Sequence, residues 1–219
     1  MSKRVAAAVR PLVLALAAGA LLASCGQMGG GPTPTPTPAP TPTPSPTPSP
    51  QTVTLTLVPG GGRVCSSNNV GPVYRAGRDA ACTPPAGDVS RAFVAFLRTP
   101  VPAGATVLNA TLTATRTQFN TPYPPGQQLW VEATPWVGTG GGLDPSDFLA
   151  PVLAGTSPVA GPTTAGGTLL VDVRSLVQAY VNANSATVDL RLRFQIEAGL
   201  GPNDYETYGG WVLQVTYRP

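Results

Sequence analysis

The chain has 219 residues, of which 27 are Pro and 25 Gly; only 11% are charged and none is His. Without imidazole there is no Ser-His-Asp or Cys-His nucleophilic machinery, and the commonest zinc ligand is gone. The formal charge of +3 rests on Lys3, Arg4 and Arg10. Beyond them ten Arg and no Lys stand against ten acidic residues, so no basic stripe argues for nucleic acid.

The N-terminus carries those three cations, followed by an apolar run over residues 12–22. That run is too short to cross a bilayer of about 30 Å as a helix. A charged start, a short apolar stretch and small residues after it describe a secretory signal peptide, here residues 1–24. Its end, Leu22-Ala23-Ser24-Cys25, resembles the bacterial lipobox. That resemblance implies cleavage before Cys25, lipidation of Cys25, and a membrane held through the lipid. Gly26, in place of an Asp, points to the outer membrane or cell surface.

Residues 25–50 form a linker in which Pro alternates with Thr, Ser or Ala from residue 32 onward. Such a run has no apolar side chains to bury and favours extended polyproline II over a packed fold. At about 3.1 Å per residue it spans roughly 60 Å, a stalk that lifts a domain off the membrane.

Residues 51–219 suit one globular domain. Apolar and polar residues alternate at Val53, Leu55 and Leu57, then at Leu108, Ala110, Leu112 and Ala114. The clearest run is residues 188–196, apolar at every even position and polar at every odd one. The last sets Trp211, Leu213, Val215 and Tyr217 on one side. Each pattern predicts a strand with one buried and one wet face. Further strands are expected near residues 91–98, 128–134 and 168–173. One helix is expected after Asp172 as N-cap, with Leu176, Val177, Tyr180 and Val181 on its buried face. Short strands between Gly/Pro turns predict an all-β antiparallel sandwich with one short helix at one end.

With Cys25 lipidated, Cys65 and Cys82 remain, and an oxidising compartment favours their disulfide. Closing that loop stabilises the fold by about 3 kcal/mol in the chain-entropy model.

The runs Arg91-Ala-Phe-Val-Ala-Phe, Val101-Pro-Ala-Gly-Ala-Thr and Val171-Asp-Val-Arg-Ser-Leu-Val-Gln, then the closing strand to Tyr217, resemble DNRLRE-type domains of bacterial exported proteins. The resemblance covers roughly residues 60–217 and implies a jelly-roll-like sandwich similar to carbohydrate-binding modules. The hexapeptide that names that family is absent, so only fold and general class carry over.

Several residues are candidates for chemistry. On the strand around Leu129, Val131 and Ala133, the residues Trp130 and Glu132 are expected to point outward. An indole beside a carboxylate suits a sugar, stacking on its C–H face and accepting from its hydroxyls. The alternative is a covered Trp130 with Glu132 merely solvated. Trp136 and the loop residues Tyr123, Tyr205 and Tyr208 are further aromatic candidates. Arg75 and Arg78 suit acidic glycans or pair with Asp79 and Asp88. Asp144-Pro145-Ser146-Asp147 reads first as a helix cap with an acid in the first turn, with a structural calcium site or paired-carboxylate catalysis as alternatives. Asp204 and Glu206 read as an exposed turn, or as a metal or sugar site. The expected function is a non-catalytic binding or adhesion module of the envelope for a polysaccharide. A structural protein binding other envelope proteins is the second reading, and a carboxylate hydrolase the third.

Overall fold

A computed structural model describes residues 47–82, 88–119, 128–136, 142–156, 158–201 and 204–219. The expected signal peptide, Cys25, most of the expected stalk and Tyr123 lie outside the described residues.

The described strands are β1 (Gln51–Leu55), β2 (Gly62–Cys65), β3 (Val70–Gly71), β4 (Tyr74–Asp79), β5 (Asp88–Leu97), β6 (Thr106–Phe119), β7 (Leu129–Ala133), β8 (Ala154–Gly155), β9 (Thr168–Asp172), β10 (Thr187–Phe194) and β11 (Tyr205–Arg218). All pair antiparallel in one curled sheet, ordered β8-β7-β10-β5-β4-β11-β6-β9, with β1 against β11 and β2 against β5 and β3. The sheet folds over on itself as an all-β sandwich. Short β4 joins the two halves, pairing Gly77 with both Tyr205 and Ser90. Gly77 has φ +112, and a Cβ there would stand 2.3 Å from the Asp204 carbonyl and from the Phe194 ring. Only glycine permits both the backbone angle and that approach.

The interior follows the period-two pattern: Val94 and Phe96 face Leu190 and Val188, with Leu112, Leu213 and Val215 among the residues of the other half. Two bulges move the pattern by one residue. At the start of β6 the register passes from Thr216↔Asn109 to Tyr217↔Val107, so Val107 and not the expected Leu108 enters the core. In β11 the shift at Gly209-Gly210, with Gly210 at φ +61, lets both Tyr208 and Trp211 face inward.

Helix α1 (Arg174–Asn182) buries Leu176, Val177, Tyr180 and Val181. Its N-cap position is Val173, one residue later than expected, because Asp172 still belongs to β9. The Asp172 carboxylate nevertheless accepts the Arg174 N–H at 2.9 Å. Gln178 ties the helix to β6 by accepting the Val107 N–H and donating to the Ala105 carbonyl. The helix stops where Asn184 turns left-handed (φ 50). Among the described residues no helix is long and apolar enough to cross a membrane.

Cys65 and Cys82 form a disulfide with Cα atoms 5.7 Å apart, and both are fully buried. It staples the end of β2 to the turn after β4.

The expectation of a wet outer face on β10 is overturned. Asp189 and Arg191 are both buried, as are Leu190 and Leu192 on the opposite side. The strand ends at Phe194, which leaves Ile196 exposed. The cause is a second layer. Residues 142–150, which include a 3-10 helix (Pro145–Leu149), lie over the outer face of β5 and β10, and the chain then joins the sheet edge as β8 beside β7. Beneath them a small separate core joins Val64, Phe93, Ala95 and Trp136, with Leu143 and Phe148 packed against it.

Candidate functional site

Strand alternation puts Trp130 and Glu132 on the outer side of β7, and the register places Arg193 and Arg191 of β10 directly opposite them. Glu132 is only 2% exposed. One carboxylate oxygen meets Arg191 at 2.7 Å and the other meets Arg193 at 2.9 Å. This corrects the expected outward Glu132: it is a buried counter-ion, its oxygens taken by cross-strand arginines. Trp130 is half-buried, with the Arg193 guanidinium 5.3 Å from its ring centroid and Gly155 packed beside its six-membered ring.

The same cations hold the covering segment. Arg191 donates to the carbonyls of Phe148 and Ala150 at 3.2 and 3.1 Å. Arg91 donates to Phe148 O at 2.6 Å, lies 4.0 Å from the centroid of the Phe148 ring and pairs with Glu197. Two arginines thus satisfy carbonyls left open at the end of the 3-10 helix, where positive charge is favourable. Burial lowers the Arg191 pKa, as do the positive charges of Arg91 and Arg193, while Glu132 opposes the shift.

The other end of the 3-10 helix is acidic. Asp144 is its N-cap and Pro145 opens it, as the sequence predicts. The box is reciprocal: Asp144 accepts the Ser146 N–H at 2.7 Å, and Asp147 accepts the Asp144 N–H at 2.8 Å. Hydrogen bonds from the Ser146 hydroxyl, and then from its N–H, hold Asp144 below the usual carboxylate range. Asp147 is turned inward and is 6% exposed. Burial raises its pKa above the ordinary 3.8; the Asp144 N–H pulls it back, and the charges of Asp144 and Asp189 push it further up. Asp189, on β10, accepts the Trp136 N–H at 3.1 Å.

Between this helix and the end of β7 lies an open cleft of about 450 Å³. Trp136, Pro135, Leu149, Ala150 and Pro151 supply apolar wall, and Ser146 and Asp147 the polar groups. A second hollow of about 480 Å³ lies between β8 and the start of α1. Of its polar groups, Thr156 and Asp172 are engaged by the N–H groups of Val131 and Arg174, while Arg174 and Ser175 also line it, and no aromatic ring does among the described residues.

The remaining candidates lie elsewhere. Tyr205 and Tyr208 sit on β11, not on a loop. Tyr208 is buried and donates to Glu206, which also pairs with the buried Arg116; the expected exposed turn at Glu206 is therefore a closed core cluster. Tyr205 lies under Arg75, whose guanidinium is 4.1 Å from the ring centroid. Arg75 pairs with the buried Asp79 at 2.8 Å, while Asp88 accepts from Ser66 instead. Arg78 donates to the Leu200 carbonyl, and Asp204 accepts from the Gly201 N–H. Among the described residues no three Cys, Asp or Glu side chains gather as a metal-ligand set.

Sequence reasoning ranked Trp130 with Glu132 first and so missed the cleft beside Trp136. The signal available was the Asp144-Pro145 cap followed by five apolar residues, Leu149-Ala-Pro-Val-Leu153, after an amphipathic strand. No family model matches the chain, and neither does any curated protein.

Proposed function

We propose that this chain is a lipid-anchored, non-catalytic binding module of the bacterial cell envelope, of the DNRLRE type, with a polysaccharide as its ligand. The observation that carries the reading is the cleft of about 450 Å³ with five apolar wall residues and two polar ones. Mostly apolar lining with a few placed polar groups is the usual composition of a small-molecule site. A sugar ring offers C–H faces to Leu149 and the prolines, and hydroxyls to Asp147 and Ser146. The rigid antiparallel scaffold supports such a site because it needs little ordering on binding.

The test is equilibrium binding of the full chain in detergent to a polysaccharide panel, run with calcium and with chelator. Leu149→Arg is the informative variant, because Leu149 is 82% exposed and its replacement fills the cleft without disturbing the core. Saturable binding that disappears in Leu149→Arg and persists in Trp130→Phe is the expected result. No saturable binding to any glycan ends this reading. The second reading, contact with another envelope protein, draws support from Leu149, Val152 and Leu153, large apolar residues exposed within five positions.

A further inference from the structure

The strand order ends in β8 on one side and β9 on the other, and the two ends are built differently. β8 is two residues long and lies between Pro151 and Pro158. Shortness and proline are common ways of closing an edge to further pairing. β9 has neither protection: Thr168-Leu-Leu-Val-Asp172 is a run of five residues without Pro or Lys, paired to β6 on one side. On that side the Val173 N–H donates to Ala110 O, and Gly167 O accepts the Arg116 N–H. Antiparallel alternation then gives β6 the backbone groups of Leu169 and Val171, and turns those of Thr168, Leu170 and Asp172 away from it. Among the described residues no strand pairs with that free side. The two ends of the sheet do not close on each other: the hollow of about 480 Å³ is lined by Gly155 and Thr156 on the β8 side and by Asp172 at the end of β9. In the middle of the open edge stands Leu170, 66% exposed.

We propose that β9 is a dimer edge: two copies of this chain pair β9 against β9, antiparallel about Leu170, and continue the sheet across a twofold axis. An open edge is complemented by a strand, because a strand returns N–H and C=O groups in the same alternation. The sequence of β9 is its own complement in that register. Leu170 meets Leu170, which takes two exposed isobutyl groups out of water. Thr168 stands opposite Asp172 of the other copy at both ends of the pairing. One Asp172 oxygen accepts the Arg174 N–H, and the other is left to the Thr168 hydroxyl. Asp172, the strand's only charge, is thereby kept away from itself, whereas parallel pairing in register would set it beside its own copy. Pairing β9 with the β8 of another copy would build an open chain of molecules, and two residues near prolines do not offer the length for it. The β9–β9 contact closes on itself.

The inference goes beyond the glycan reading and uses no residue of the cleft beside Trp136. The test is sedimentation equilibrium of the full chain in density-matched detergent over a range of concentrations, with amide hydrogen exchange at Leu170 followed in parallel. The wild type is expected to pass from monomer to dimer as concentration rises, and the Leu170 N–H to exchange more slowly in step. Leu170→Lys sets like charges against each other across the axis and is expected to weaken the dimer by more than about tenfold, as is Leu170→Glu alone. An equal mixture of the two variants restores the dimer, because opposite charges then meet. Leu170 lies outside the core, so both variants are expected to keep the wild-type circular dichroism spectrum. A wild type that stays monomeric at every concentration overturns the proposal. So does a dimer that survives Leu170→Lys, a mixture that stays monomeric, or a dimer in which Leu170 exchanges as fast as in the monomer. A co-purified strand of another protein on β9 overturns the self-pairing as well.

Discussion

Two carboxylates on one face of the sheet, Glu132 and Asp147, are almost equally buried yet stand in opposite surroundings. Glu132 is gripped by two arginines. Asp147 has one backbone N–H and two acidic neighbours. Burial by itself thus says little about what an acid does. A buried charge with complete partners is part of the frame, whereas one without them moves its proton equilibrium. The first ties the covering segment to the sheet through Arg191, and the second makes the stability of the fold depend on pH.

The largest expected effect falls on the locked end. Glu132→Ala leaves Arg191 buried without its counter-ion, and denaturant unfolding is expected to show a loss of about 3–5 kcal/mol. Next comes Arg191→Met. It leaves Glu132 to Arg193 and strips one donor from the carbonyls of Phe148 and Ala150, a loss of about 2 kcal/mol by the same measurement. At the responsive end the sign reverses. Asp147→Asn removes a buried acid whose ionisation opposes folding, so it is expected to gain on the wild type as pH rises from 3.8 through the raised Asp147 value. Equal pH slopes of stability in the two proteins contradict that account. The smallest effect belongs to Asp144→Ala. It removes the cap, weakens the first turn of the 3-10 helix and shows as faster amide exchange at Ser146 with little change in global stability.

The same contrast explains what could be read from the sequence. Strands, the helix face and the disulfide follow from local alternation, helical spacing and the expected compartment; β7, β9 and β10 lie where the patterns place them, and β11 does so from Trp211 onward but begins six residues earlier, at Tyr205. The bulge at Leu108 was not legible, because it depends on how β6 registers against β11. Nor was the second layer. Asp189, Arg191 and Glu132 look like a wet face because their polarity is visible in sequence and their partners are not. Arg191 and Glu132 are 59 positions apart and meet only through strand pairing. Likewise the capping box at Asp144 was readable from four residues, but the direction in which Asp147 points is set by Trp136 and the sheet beneath.

The most direct measurement is a double-mutant cycle between Glu132 and Arg191, using Glu132→Ala, Arg191→Ala and the pair, followed by denaturant unfolding. The closed, desolvated face described here predicts a coupling clearly above the roughly 0–1 kcal/mol of exposed ion pairs. A coupling inside that range would mean that water reaches Glu132, and the covered face would then be wrong.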